Sequence, residues 1–360
     1  MRRLAVENAQ LGMILARAIY DGSGNLILDT GTVLDTIHLP VLPRLDVKEI
    51  IIQDSRVDDV IIVPSISEET EAHAIRLLHK IIDSNRGTLV EHIKLDMASV
   101  DRVIKEIIQD SYNIFLGEIN IEGCISPGNF DYIHPVKTTS LSILLGKKMG
   151  LNKNDLTLMG ISAFLMNIGY IGVSQGILTS LDPEAQSASP EFRKHVETGA
   201  RLIKLQKDVD PRIVDAVMQH HELWNGTGYQ NKIKGKQINL FARIIAVASN
   251  YHSLISNQRN RKAYTPPEAA EYISAYSGEY FDPEVVQCFM RNVPFYPKGV
   301  MVRLNNGEIG VVTDSNIGYI GRVKVRIFFS RDMLEVPKPY DVDLSKPEHQ
   351  HLTVAEILGY

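Results

Sequence analysis

The sequence predicts a mainly α-helical protein with a small β-rich domain at its N-terminus and a β-hairpin extension at its C-terminus. Apolar residues recur at helical spacing from residue 65 to about residue 293, whereas the flanking segments alternate at the period of a strand. The chain has 360 residues, of which 44% are hydrophobic and 22% charged. A chain of this length and composition is expected to form two or three domains with their own cores.

Residues 1–64 form the predicted β-rich domain. Strand-like segments run through 13–20, 25–28, 49–53 and 60–63. The first two flank Asp21-Gly22-Ser23-Gly24, a combination of residues that favours a tight turn. The sequence shows no signature of what this domain recognises.

Residues 65–115 are predicted to form connecting helices. Ser65 followed by Glu68 is typical of a capping box, and Ile75, Leu78 and Ile82 share one helix face. A second amphipathic stretch covers residues 100–107 in the same way. Helices of this kind pack on the next domain or on a second subunit, and we expect a homodimer.

Residues 116–293 are predicted to form a helical domain, and residues 294–360 a C-terminal β extension. Ser189 before Pro190 is typical of an N-cap with proline at the first helical position. Asn306-Gly307, between the apolar segments 301–304 and 309–312, is the strongest hairpin signal in the chain. Residues 323–329 are predicted to add a third strand.

Composition and charge argue against several classes of protein. The net charge of -5 and the pI near 6.1 give no reason to expect DNA or RNA binding. Cys124 and Cys288 are too few for a disulfide framework, lack metal-site spacing and are expected to be buried. No apolar signal core follows Met1, and no uninterrupted apolar run approaches the roughly 20 residues that span a bilayer. We expect a soluble, cytoplasmic protein without membrane insertion.

Four of the eleven histidines fall on the apolar faces of predicted helices. They are His134, His195 and the pair His220-His221. Neutral imidazoles are good ligands for zinc, iron and manganese ions, so four such residues in one helical domain indicate a metal site. Spacing alone leaves the alternative open that each one is a hydrogen-bonded core residue.

From about residue 131 to residue 290 the chain resembles the HD-GYP family, the all-helical cyclic di-GMP phosphodiesterases of the HD superfamily. The matching segments are His134 with 145–151, His195-Val196-Glu197-Thr198-Gly199 ("HPxxG"), His220-His221-Glu222 with Gly226-Thr227-Gly228-Tyr229 ("HHE…DGxGYP"), 242–244, 261–263 and 281–283. The flanking β segments also look like those of many members. The resemblance implies an HD-GYP helical bundle.

The chain departs from this family at positions where the resemblance implies metal ligands. Met166-Asn167 stand in place of the His-Asp dyad, and Tyr170 in place of the lysine that follows it. Ser249 replaces an aspartate, and Phe130 replaces an acidic ligand of some members. These positions are degenerate, and no catalytic residue is assigned.

The replacements have a physical consequence for metal binding. Two cations held about 3.5–4 Å apart need bridging carboxylates that offset their repulsion. Asn167 supplies no charge, Met166 offers a soft thioether, and Ser249 removes a second anion. We therefore expect a degenerate domain, a pseudoenzyme, without a binuclear centre.

A single divalent ion, iron, manganese or zinc, is compatible with the residues that remain. His195, His220 and His221 match family positions that jointly serve one metal, and His134 is a further candidate. Three imidazoles with an open position can hold one catalytic zinc. In the alternative, these histidines form hydrogen bonds to one another and to Asn167.

The loop after the histidine pair is the predicted ligand-binding region, although Asn225 and Gln230 replace the aspartate and proline of the family motif. The predicted ligand-binding residues are Trp224, Gly228, Tyr229, Lys234 and Arg243. Arg243 has a structural alternative, since an arginine there can brace the loop through backbone carbonyls. Arg259, Arg261 and Lys262 form a further basic cluster.

Three functions follow from these observations. The leading hypothesis is a catalytically silent protein of a cyclic di-GMP pathway, which binds the nucleotide or docks a GGDEF-type partner. The second is a one-metal phosphodiesterase of cyclic di-GMP or another phosphoester. The third is a structural dimerisation scaffold. Metal content separates the second hypothesis from the others, and ligand titration separates the first from the third.

Overall fold

A computed structural model of the chain describes residues 1–21, 23–44, 47, 49–113, 130–178, 188–256, 262–316 and 318–358. In chain order it contains a small β-rich unit, a helical bundle and a C-terminal sheet. The predicted mainly α fold class is confirmed. Gly22, Cys124, Arg259 and Arg261, which the sequence singled out, lie outside the described residues.

The N-terminal unit contains two antiparallel strand pairs and one short helix. Its elements are β1 (Arg2–Ala5), β2 (Ile19–Tyr20), β3 (Leu26–Leu28), α1 (His38–Arg44) and β4 (Glu49–Ile52). Strand β1 pairs with β4, and β2 pairs with β3. The strand predicted over 60–63 is wrong. Val60 is instead buried with Phe328 of the C-terminal sheet, in a linking segment between the two β-rich parts.

Two helices follow, α2 (Glu68–Asp83) and α3 (Met97–Asn113). The N-cap of α2 is Ser67, whose hydroxyl accepts a hydrogen bond from the Thr70 N–H at 3.2 Å, so the predicted cap at Ser65 is wrong by two residues. The apolar faces of both helices join the main hydrophobic core. They are therefore part of the bundle.

The rest of the bundle surrounds one central helix. Its helices are α4 (Phe130–Lys148), α5 (Lys153–Phe164), α6 (Gln175–Leu178), α7 (Pro190–Arg193), α8 (His195–Lys204), α9 (Pro211–Gln219), α10 (Leu240–Leu254), α11 (Pro266–Ala275) and α12 (Pro283–Asn292). Helix α4 is buried at every position from Tyr132 to Gly146 because α2, α3, α5, α10 and α12 pack around it. A 3-10 turn, Ile168–Gly172, follows α5 and contacts α8.

The C-terminal sheet has five antiparallel strands in the order β8-β7-β6-β5-β9. They are β5 (Met301–Leu304), β6 (Ile309–Asp314), β7 (Lys324–Phe329), β8 (Glu335–Asp343) and β9 (Val354–Leu358). The predicted hairpin at Asn306-Gly307 joins β5 to β6, with Gly307 at a φ of 91°. The extension is larger than a hairpin because β9 returns to pair with β5.

One stretch of the described chain, Lys153–Gly172, is long and apolar enough to cross a membrane by length and composition alone. It comprises α5 and the turn after it, and 78% of its most apolar window is buried inside the fold. The interior helix of a bundle meets the same criterion, so this stretch is weak evidence for a membrane span.

Candidate metal centre

Three histidines meet where the start of α8 faces the end of α9. His195 is the first residue of α8, His220 caps the C-terminus of α9, and His221 follows it. Their ligand atoms all lie within 4.8 Å of one another. We call these three residues the histidine triad. Asp210 at the N-cap and proline at the first position define where α9 begins, and His220 lies at the other end of this helix.

Two triad rings have their tautomers fixed by the backbone. His195 Nδ1 lies 2.6 Å from the Phe192 carbonyl oxygen, and His220 Nδ1 lies 2.7 Å from that of Val217. A carbonyl only accepts, so each Nδ1 carries the proton and each Nε2 carries the lone pair. Both Nε2 atoms are buried without a hydrogen-bond partner among the described residues. Two buried, unpaired acceptors in a cluster whose ligand atoms lie within 4.8 Å of one another fit a bound cation.

Burial keeps the triad neutral. It lowers the pKa of His195 to about 4 and that of His220 to about 3. Burial, together with the neighbouring His220 and His195, also holds the pKa of His221 well below its usual range. Neutral imidazole is the form that binds a metal, so the triad is ready to ligate at neutral pH. Within the described part of the chain, this cluster contains no carboxylate.

Met166 and Asn167, at the positions that the resemblance assigns to a dyad, come directly before the turn that contacts α8. Met166 and Asn167 are buried at the end of α5, and no described hydrogen bond joins the Asn167 side chain to a triad ring. The alternative in which the histidines bond to one another and to Asn167 is therefore not what the structure shows. The ring of Tyr170 packs on that of His195 with centroids 4.9 Å apart. None of these three residues supplies an anionic ligand.

The loop after His221 covers one side of the triad. The Tyr229 ring stacks on the His221 ring, with centroids 4.8 Å apart and planes 20° from parallel. The guanidinium of Arg193 lies 5.2 Å from the Tyr229 ring centroid, and the Gln230 Nε2 donates to the Arg193 carbonyl at 3.0 Å. The loop is thereby tied to the segment just before His195.

Glu222, which follows the histidine pair in the sequence motif, holds the same loop through backbone hydrogen bonds. Its Oε1 accepts hydrogen bonds from the Asn231 N–H at 2.7 Å and from the Lys232 N–H at 3.1 Å. Gly228 passes so close to the chain that a Cβ atom there would stand 2.4 Å from the Leu223 nitrogen. A buried carboxylate and a required glycine therefore hold the loop.

His134 lies outside the triad cluster, with both ring nitrogens in contact with side chains of α10. Its Nδ1 is 2.9 Å from the Nδ1 of His252, and its Nε2 is 3.1 Å from the Ser249 hydroxyl. Phe130 stacks on the His134 ring with centroids 4.6 Å apart. Burial lowers the pKa of His134 to about 3. The sequence did not single out His252, because a lone histidine on a helix carries no motif.

The remaining predicted ligand-binding residues divide into exposed and structural ones. Lys234 is exposed beside Gly226, and Trp224 is half-buried. Arg243 donates to the Ile238 carbonyl at 3.0 Å and forms an ion pair with the buried Asp282. Its side chain braces the loop, as the structural alternative expected. Asn225 accepts from the N–H and the hydroxyl of Thr227 and thereby closes a turn.

Comparison with known proteins places this site in context. The HD domain family matches residues 102–285. A cyclic di-GMP phosphodiesterase of Pseudomonas aeruginosa is 32% identical over 221 residues, which are 60% of this chain and 52% of that protein. A cyclic di-GMP phosphodiesterase of Thermotoga maritima is 25% identical over 226 residues, covering 61% of this chain and 60% of its own.

Two further relatives extend the range. A 3'3'-cGAMP-specific phosphodiesterase of Vibrio cholerae is 24% identical over 242 residues, which are 67% of this chain and 44% of that protein. A solved HDG"Y"P protein of Bdellovibrio bacteriovorus aligns with a TM-score of 0.47 at 16% identity, over 79% of this chain and 97% of its own. The chain thus spans between 44% and 60% of the length of the three phosphodiesterases.

Proposed function

The chain belongs to the HD domain family, and we propose that it is a hydrolytically silent member that holds one divalent ion and binds cyclic di-GMP. The observation that carries the proposal is the histidine triad. Two of its rings present buried, unpaired Nε2 atoms, and no carboxylate joins the described cluster. Three neutral imidazoles suit a borderline ion such as Zn²⁺, Fe²⁺ or Mn²⁺.

The lack of carboxylates supports the silent assignment. Phosphodiester hydrolysis with two cations depends on anionic ligands that hold both ions and orient the nucleophile. Asn167 keeps the shape of an aspartate without its charge, and Ser249 gives its hydroxyl to His134 in place of an anion. A bound ion at the triad would supply Lewis acidity, whereas this chain's own residues would bind and orient the ligand.

Nucleotide binding is supported by the relatives and by the loop over the triad. Each of the phosphodiesterases above is described as acting on a cyclic dinucleotide. In this chain the loop offers an exposed cation, Lys234, and two aromatic rings, Trp224 and Tyr229. A dianionic dinucleotide needs cations for its phosphates and flat apolar surfaces for its bases. Docking of a GGDEF-type partner and homodimerisation stay predictions.

Calorimetric titration of the Zn²⁺-loaded chain with cyclic di-GMP tests the binding claim. Trp224→Ala and Lys234→Ala are each expected to weaken binding by about tenfold, the effect of losing one stacking or charged contact. Lys338→Ala, an exposed lysine of β8, is the matched control and should leave affinity unchanged. Unchanged affinity in both loop variants would contradict the site assignment, and no binding at all would favour a structural scaffold.

The second candidate function is a one-metal phosphodiesterase. The specific observation in its favour is that the Nε2 atoms of His195 and His220 are buried and have no hydrogen-bond partner among the described residues. Such a site leaves open coordination for a substrate oxygen. Product formation that depends on His221 would select this function over the silent one.

A further inference from the structure

We propose that His252, held in turn by Ser256, is a positioning residue that fixes the His134 tautomer in which Nε2 carries the lone pair and faces Ser249. The inference rests on the proposed function in taking a divalent ion as the group that such a lone pair would bind. In the wild-type chain the Ser249 hydroxyl occupies that lone pair, so the ligand set is incomplete and agrees with a single ion at the triad. Four side chains carry it, three of them along α10 and its C-terminal end and one on α4.

The direction of each hydrogen bond follows from Ser256. Its hydroxyl lies 2.6 Å from the His252 carbonyl oxygen, which only accepts, so the single hydroxyl proton is used there. The same oxygen is 3.4 Å from His252 Nε2. Because the serine has no second proton to give, the proton in that contact belongs to His252 Nε2.

The tautomer of His252 then determines the tautomer of His134. A neutral His252 that is protonated at Nε2 has its lone pair at Nδ1, so the His134 Nδ1 at 2.9 Å must donate to it. Both rings are buried, and no carboxylate is among the described contacts of either ring, so both are neutral. His134 Nε2 is therefore a lone pair, which accepts from the Ser249 hydroxyl.

This tautomer matches the one that the backbone fixes in the triad. In His195 and His220, too, Nδ1 donates and Nε2 stays available. A second partner that accepts from the non-ligating nitrogen is the usual way in which a protein orients a metal-binding imidazole. His252 thus accepts a hydrogen bond from His134 Nδ1, just as the Phe192 and Val217 carbonyls accept from the Nδ1 atoms of the triad.

The geometry beside Ser249 suits a cation. The Ser249 oxygen and His134 Nε2 are 3.1 Å apart. Two neighbouring ligands of one ion at ~2.1 Å stand on the order of 3 Å from each other. Phe130 stacks on the His134 ring and limits its rotation. The wild-type hydroxyl masks the imidazole through a hydrogen bond, whereas a carboxylate at residue 249 would add the missing negative charge.

The orientation is tested on the metal-free full chain labelled with ¹⁵N-histidine. Long-range ¹H–¹⁵N spectra should show His134 protonated at Nδ1 alone in the wild type. His252→Asn should keep that signature, because its Oδ1 accepts where the imidazole Nδ1 did. His252→Leu should lose it and give mixed tautomers, although the two side chains have the same branched arrangement of heavy atoms.

Metal uptake tests the ligand role, with Zn²⁺ as the probe and bound zinc per chain as the readout. Asn167→Asp/Ser249→Asp should bind one more zinc than the wild type. Adding His252→Leu should weaken that second ion by about 10- to 100-fold, and adding His252→Asn should restore it. His220→Ala removes the first ion and so reports separately on the proposed function.

The inference is overturned if the second zinc binds equally well after His252→Leu. It is also overturned if the double variant binds no more zinc than the wild type. A wild-type His134 protonated at Nε2 would overturn it as well. A third outcome separates the two proposals: the wild type binds no zinc, but the double variant still gains an ion whose affinity depends on His252. That outcome would overturn the proposed function and leave this inference standing.

Discussion

Gly169 lies against the backbone carbonyl of His195, so closely that a Cβ atom on residue 169 would stand 1.9 Å from that oxygen. The contact joins the turn Ile168–Gly172 to the first residue of α8. Met166 and Asn167 come directly before this turn. The backbone around the histidine triad is therefore packed closely against the turn that follows Met166 and Asn167.

Gly169→Ala is expected to push α8 away and to displace His195 from the other two triad rings. Overpacking of this kind costs about 1–3 kcal/mol of stability, and zinc affinity should fall by at least about tenfold. Urea unfolding and competitive zinc titration measure the two effects. Gly176→Ala is the control, since a Cβ there meets no atom within 4 Å. Equal zinc affinity in both variants would contradict the role of the contact.

Gln230→Pro is expected to destabilise this chain. Residue 230 has a φ of 85°, and proline is locked near -65°. The substitution also removes the hydrogen bond to the Arg193 carbonyl. A loss of about 2 kcal/mol or more in the free energy of unfolding is expected from strain in this region of the backbone. Gln230→Gly removes the same side chain but tolerates the positive φ, so it should cost clearly less.

Glu222→Ala is expected to loosen the loop over the triad. It leaves the N–H groups of Asn231 and Lys232 without their shared acceptor, which costs about 1–3 kcal/mol. Glu222→Gln keeps an oxygen in place and should be much milder. Hydrogen exchange of the two amides reports on the loop directly. Protection that survives in the alanine variant would mean that other contacts hold the loop.

Acid is expected to destabilise the metal-free protein below pH 6.5. The folded pKa of His195, about 4, lies below the ordinary value of 6.5, so the unfolded chain binds more protons between these values. The stabilisation is complete above pH 6.5 and is lost as the pH falls toward 4. At pH 5, protonation of His195 in the unfolded chain alone lowers the free energy of unfolding by about 2 kcal/mol. Urea unfolding at pH 7.5, 6 and 5 checks this, and stability that stays flat over the range would contradict a buried neutral triad.

The sequence predicted the parts of this protein that depend on local pattern. The hairpin at Asn306-Gly307 was predictable because that turn demands particular residues. The N-cap at Ser189 was predictable for the same kind of reason. The resemblance to a known family predicted that the three triad histidines lie together at one metal site.

Tertiary contacts decided what the sequence missed. The segment 60–63 has a strand pattern but shows no strand pairing with the described residues. Val60 instead packs with Phe328 of the C-terminal sheet, Ile62 packs with Ile51 of β4, and Ile61 is exposed. The pairing of His134 with His252 joins residues 118 positions apart on two helices. No periodicity within either helix encodes such a contact, so the orientation of His134 was visible only in the fold.

Anaerobic incubation of the chain with cyclic di-GMP and Mn²⁺ or Fe²⁺, followed by chromatography of the products, measures whether the chain hydrolyses the nucleotide. If the chain is hydrolytically silent, the nucleotide stays intact after long incubation, beside an active family member as the positive control. Linear dinucleotide or GMP whose formation is abolished by His221→Ala would contradict the silent assignment. That outcome would show that three histidines suffice for hydrolysis without the family's carboxylates.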